Sequence, residues 1–192
     1  AQRASRALLS VLALLTACAI PQTHKGFSIT SPSSDGAQVE YASTEDLMVS
    51  GLVSEALGYA QTSRFVDAEV RLRQARYLKP ANEAVAFNTA VVISQTGQAE
   101  EAEEIVNDLL SRHPSNPSYR QALADIHVAE GRYAQAVEEL KKVFQLYKTS
   151  GNYYKASLIA RSISNIAFGI GNEQEALCYS AEAVSLYPAP AQ

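Results

Sequence analysis

The order of polar and apolar positions divides the chain into three stretches. Residues 7–17 are nearly all small or apolar (ALLSVLALLTA) and follow two arginines, Arg3 and Arg6. Residues 20–46 keep no helical or strand period and are broken by Pro21, Gly26, Pro32 and Gly36. Such a stretch buries too little apolar area to offset the entropy of ordering it, so it is expected to be a flexible tether. About 28 flexible residues have an r.m.s. reach of about 30 Å. From Val49 onward, blocks of small and apolar residues alternate with turns containing Gly or Pro, which predicts pairs of helices.

Those blocks recur at a fixed interval. Ala68, Ala102 and Ala136 are 34 residues apart. Pro80 and Pro114 share that spacing, each twelve residues after its Ala, as do Gly97 and Gly131, each five before. The phrases Arg64-Phe-Val-Asp-Ala68, Gln98-Ala-Glu-Glu-Ala102 and Arg132-Tyr-Ala-Gln-Ala136 align. A fourth copy, Asn172-Glu-Gln-Glu-Ala176, has Gly171 before it and Pro188 twelve residues after its Ala. The step from Ala136 to Ala176 is 40, so six additional residues separate copies three and four. Each copy reads as a helix, a turn and a second helix ended by Pro, which cannot continue a helix. Together these markers resemble the tetratricopeptide repeat (TPR), a helix–turn–helix unit of the same length. The resemblance implies an all-α fold: a right-handed solenoid of about four such repeats over residues 48–192, near 49–82, 83–116, 117–156 and 157–190.

The departures from the repeat locate its irregular parts. Where Leu is usual at the seventh position, copies one and two carry Glu55 and Thr89. Copy one has Ser63 in place of the turn Gly, and copy three has Lys148 in place of the closing Pro. The additional residues predict a longer second helix in copy three, a turn at Ser150-Gly151 and a longer first helix in copy four. After Pro188 only Ala-Pro-Ala-Gln remains. The last helix is expected to cap itself, to be followed by more chain, or to be covered by a partner.

In TPR proteins the first helix of each repeat lines a concave groove. The resemblance therefore implies a partner-binding groove made of Val53 and Leu57 in copy one, Phe87, Asn88, Val91 and Gln95 in copy two, Gln121, Asp125 and Val128 in copy three, and Arg161, Asn165 and Phe168 in copy four. Cytosolic TPR domains that clamp an acidic peptide C-terminus use Lys and Arg at these places. Copies one and two offer no cation there, so that clamp is not expected. An apolar groove with amide and hydroxyl edges suits a helical or extended peptide with apolar anchors. A second candidate surface is Tyr147, Tyr153 and Tyr154 with Lys148 and Lys155, since tyrosines are enriched at interfaces.

The first stretch reads as an address. A positive start followed by an apolar run too short to span a bilayer is the pattern of a signal peptide, here residues 1–17. It ends in Leu15-Thr16-Ala17-Cys18, which resembles the lipobox of bacterial lipoproteins. The resemblance implies that Cys18 is the lipidated first residue of the mature chain, held to a membrane by acyl chains that contribute about 0.8 kcal/mol per buried CH₂. Residues 18–47 would then tether the folded part. Ala19, rather than Asp, at the second mature position favours the outer membrane by the enterobacterial sorting rule, with the protein on the periplasmic side.

Composition narrows the chemistry. The chain has 192 residues, 47% hydrophobic and 19% charged, and no Trp. With Lys+Arg 16 and Asp+Glu 20 the net charge is −4, which does not provide the basic footprint of a nucleic-acid binder. Two cysteines make no disulfide framework. The three histidines, His24, His113 and His127, include no i, i+4 pair for a metal, and no phosphate-binding or nucleophile motif is present. Glu100, Glu101, Glu103 and Glu104 fall at a helix start, where carboxylates suit the helix dipole. No cofactor, metal or small-molecule substrate is expected.

The sequence thus points to a non-enzymatic adaptor lipoprotein that holds a protein partner. In layout it resembles TPR lipoproteins that assist secretin and pilus assembly. Others of that layout scaffold peptidoglycan enzymes or serve outer-membrane protein assembly. A self-associating module built on the last helix is the further alternative.

Overall fold

The computed structural model describes residues 43–187. The signal-peptide stretch, Cys18, most of the tether and Pro188 lie outside the described residues. Within them the chain forms eight α-helices and no strand. In order they are α1 (Thr44–Gln61), α2 (Phe65–Leu78), α3 (Glu83–Gln95), α4 (Ala99–Arg112), α5 (Pro117–Ala129), α6 (Tyr133–Thr149), α7 (Tyr153–Gly169) and α8 (Glu173–Leu186). They pair as α1–α2, α3–α4, α5–α6 and α7–α8, and each pair packs on the next.

Local chemistry sets the helix starts. Ser43 and Asp46 form a capping box, so α1 begins inside the stretch read from sequence as tether. Asn82, Asn116 and Asn152 accept backbone N–H bonds at the starts of α3, α5 and α7, and Pro117 opens α5 at a position that needs no N–H. The six additional residues are divided between α6 and α7, each of 17 residues, with a turn through Ser150, Gly151 and Asn152. Lys148, where the other copies close with Pro, stays helical and pairs with Glu182 at 3.2 Å.

Within each pair the two helices cross at small residues. Ala68, Ala102 and Ala136 are fully buried, and so are Ala56, Ala90 and Ala124, which lie twelve residues earlier on the first helix. Each couple shares a core: Ala56 with Ala68, Ala90 with Ala102, Ala124 with Ala136. Copy four has Ser164 at the earlier place, and its hydroxyl donates to the Ala176 carbonyl at 2.7 Å. A methyl or hydroxymethyl is all that fits between the two backbones.

Successive pairs are joined by an apolar face and a polar seam. Val85 and Val92 of α3 pack into cores with Ala75, Ala68 and Leu72 of α2. Around them Arg73 grips Glu69 and Glu101, each at 2.8 Å. At the next junction Arg132 holds Glu103, and at the last Lys141 meets Glu175 at 2.6 Å. Glu101 and Glu103 are therefore half-buried ion-pair partners rather than members of a uniformly solvated acidic face. In α1 the places of Val85, Thr89 and Val92 hold Gly51, Glu55 and Gly58, and Glu55 turns to Arg71 at 2.9 Å. Leu47 and Met48, on the same side of α1, are exposed.

The turn between the two helices of a pair passes through the left-handed region. Gly97, Gly131 and Gly171 adopt φ of 85°, 75° and 81°, and Ser63 is forced to 59°. An L residue there is strained by about 1–2 kcal/mol, partly offset by the extra entropy Gly loses on folding. Ser63→Gly is expected to stabilise the fold by about 1 kcal/mol and raise Tm by about 2–4 °C. A melting curve no higher than that of the wild type would contradict this.

Candidate partner-binding groove

The twelve residues that the repeat register assigns to the concave face lie on α1, α3, α5 and α7, and none is buried. The nine from copies one to three are half-buried; Arg161, Asn165 and Phe168 of copy four are exposed, Phe168 by 71%. Val53 packs on the cores beside α2, and Val128 on the core shared by α5 to α8. Phe87 and Val91 pack on the core that joins α3, α4 and α5. The Phe87 ring lies 5.2 Å from Tyr119, tilted by 44°, so copies two and three share an aromatic floor. His113 meets the other side of Tyr119 edge-on at 6.2 Å. Tyr119 was not among the sequence-assigned residues, because it sits at a place in copy three where copy two has Val85.

The register also shows how the face changes along the stack. Val53, Phe87, Gln121 and Arg161 occupy one place in the four repeats; Leu57, Val91, Asp125 and Asn165 occupy another. Both rows run from apolar in copies one and two to polar in copies three and four. Gln95 has one local bond, its amide donating to Ser94 at 3.3 Å. The side chains of Asn88, Gln121 and Asp125 make no hydrogen bond or ion pair with the described residues.

Asp125 is the unusual member. Burial pushes its carboxyl up to about 7, and no charged neighbour contributes to that shift. The charged groups on the helices around it are engaged elsewhere: Glu83 with Arg112 and His113, Glu103 with Arg132, and Glu139 with Arg120 and Lys142. A carboxyl raised on folding binds its proton more tightly in the folded state, so it weakens folding as pH rises between about 4 and 7. The full shift corresponds to about 4 kcal/mol; with the side chain still touching water, about 2 kcal/mol is the reasonable scale. Asp125→Asn is expected to be about 2 kcal/mol more stable than wild type at pH 8 and nearly equal at pH 4. Denaturant unfolding at both pH values checks this, and a constant difference would contradict it.

The tyrosine surface divides in two. Tyr147 is half-buried against the core of α5 to α8, with Lys155 over its ring at 5.4 Å. Tyr153 and Tyr154 are exposed and border an open cleft with Tyr187, whose ring is 6.1 Å from Tyr154. A smaller cleft of about 270 Å³ between α2, α3 and α4 is lined by the ion-paired Glu83, Glu101, Asp108 and Arg112 and does not include the groove residues. His127 is buried, its Nε2 3.4 Å from Glu103. Cys178, on α8, is exposed.

Residues 59–126 match the profile of the tetratricopeptide repeat family. No curated protein matches the sequence. Among solved structures, MamA 41-end from Desulfovibrio magneticus RS-1 superposes with a TM-score of 0.61 at 11% identity, covering 72% of this chain and 75% of that one. MamA of MSR-1 gives 0.58 at 17% identity, covering 96% and 88%. MamA of AMB-1 gives 0.56 at 20% identity, covering 72% and 78%. At these identities the likeness is one of fold: the chain is an all-α TPR stack.

Proposed function

We propose that the protein is a non-enzymatic adaptor whose concave face holds a segment of a protein partner. The observation that carries this reading is the accessible floor of Val53, Leu57, Phe87 and Val91 beside Asn88, Gln121 and Asp125, which have no bonds of their own. Half-buried apolar side chains beside amides and a carboxylate that are free of protein partners offer anchoring pockets and hydrogen bonds to an incoming segment. The lipobox-like Leu15-Thr16-Ala17-Cys18 supports an anchor at the periplasmic face of the outer membrane, with the stack held on its tether. Within that setting we place the protein with the lipoproteins that assist pilus or secretin assembly, which the lipobox-like motif followed by a TPR stack resembles in layout. Scaffolding of peptidoglycan enzymes or of outer-membrane protein assembly is the alternative setting.

A second reading rests on α8. Its Leu177, Ala181 and Val184 stand where Glu69, Arg73 and Arg76 of α2, and Val137, Lys141 and Phe144 of α6, meet the following repeat. Here all three are exposed, Leu177 by 70% and Val184 by 78%. That face favours a self-associating module in which another helix continues the stack.

In-cell crosslinking with mass spectrometry separates the two readings. Wild type is expected to capture one envelope protein, and Phe87→Arg with Val91→Arg to lose it. Capture unchanged by that pair would mean that the groove is not the binding face, whereas self-crosslinks lost in Leu177→Glu would favour the second reading. Cys18→Ser is expected to release the protein from the membrane fraction into the periplasm; continued membrane association would refute lipid anchoring.

A further inference from the structure

Asp125 is the one half-buried carboxylate among the described residues that lacks a partner. Glu69 and Glu101 are held by Arg73, Glu103 by Arg132, Glu139 by Arg120, and Glu175 by Lys141, and the remaining half-buried acids are paired too. The acids left without a cation, Glu45, Glu100, Glu104 and Glu173, are exposed and solvated by water. A carboxylate partly withdrawn from water and unpaired weakens the free protein when ionised, and a cation brought by a partner would favour its ionised form.

Its placement adds the second half of the argument. Asp125 lies one turn from Gln121 and one turn from Val128 on α5, at the place that Val91 holds on α3. Phe87 and Val91 lie one repeat toward the N-terminus, and Tyr119, whose ring meets Phe87, lies on α5 itself, six residues before Asp125. No Lys or Arg of the neighbouring helices is free to neutralise it, and Arg161, one repeat the other way, is exposed and screened by water.

We propose that Asp125 selects the partner of the groove: it takes the ammonium of a Lys or the guanidinium of an Arg from a protein segment whose neighbouring apolar side chain sits on Phe87 and Val91. This rests on the groove being the binding face. Packed helices lie about 10 Å apart, so the two subsites are separated by about that distance. An extended segment covers it in about three residues and a helical one in about seven, which fixes the spacing of apolar and basic residues in the partner. The unpaired amides of Asn88 and Gln121 flank the path and can bond the backbone or side chains of the segment. The groove is in this respect opposite to a clamp for an acidic C-terminus: it presents an anion to a cation. The raised carboxyl of Asp125 is consistent with a site completed by a cation, since a partner charge would favour the ionised form.

The test is selection from a phage-displayed library of random twelve-residue peptides on the full chain at pH 8, where the carboxylate is ionised. Selected peptides are expected to share a Lys or Arg three or seven residues from an apolar residue. They are expected to bind Asp125→Asn at least tenfold more weakly, and to lose binding to Phe87→Arg with Val91→Arg. Asp125→Asn removes an unpaired charge and is expected to fold at least as well as wild type, so weaker binding would not reflect unfolding. Peptides without a shared basic residue, or binding to Asp125→Asn within twofold of wild type, overturn the proposal. If such peptides are still lost in the Phe87/Val91 variant, the groove stands and only the cation preference fails. A library that yields no peptide sensitive to the Phe87/Val91 variant overturns both.

Discussion

The stack depends on one close approach repeated four times. In every pair the first and second helices cross where two small residues face each other, Ala56 and Ala68, Ala90 and Ala102, Ala124 and Ala136, and finally Ser164 and Ala176. Protein interiors pack at crystal-like density, so a larger side chain at such a crossing has no place to go. The close crossing sets how each pair presents its outer faces, and hence how the next pair docks and which residues of α1, α3, α5 and α7 stay accessible.

The junctions between pairs divide stability and specificity between two kinds of contact. Apolar residues such as Val85, Val92 and Phe144 remove surface from water, and each buried side chain of this size contributes about 1.5–3 kcal/mol. The ion pairs of Arg73, Arg132 and Lys141 are partly solvated and contribute little net stability each, but they fix register, because a slipped stack would leave half-buried charges unpaired. The first and last described helices both expose apolar side chains: Leu47 and Met48 on α1, beside Gly51, Glu55 and Gly58, and Leu177 and Val184 on α8.

Most of this was legible in the sequence because the repeat is marked by residues that backbone geometry demands. Gly97, Gly131 and Gly171 stand where φ is positive, and Ala68, Ala102 and Ala136 where helices touch. The partner alanines on the first helices were not read, since Ala is common throughout and Ser164 breaks the pattern. The start of α1 at Thr44 was missed because a Ser43–Asp46 capping box is a local signal within a polar stretch. Of the groove, the register placed all twelve residues on the first helices in accessible positions. It could not show that Asp125 is left unpaired, because that depends on where Arg120, Arg132 and Lys142 direct their charges, and nothing in the spacing records it.

The central claim is that residues 34 apart build the stack through helix crossings too close for a side chain. Ala136 and Ala134 lie on the same helix, α6, the first fully buried at a crossing and the second exposed. The most direct measurement compares thermal unfolding of Ala136→Arg and Ala134→Arg. Ala136→Arg is expected to lose about 4 kcal/mol or more, by overpacking and by burying a charge, while Ala134→Arg changes by less than about 0.5 kcal/mol. Two variants melting alike would contradict the assigned crossings and with them the register that places the groove.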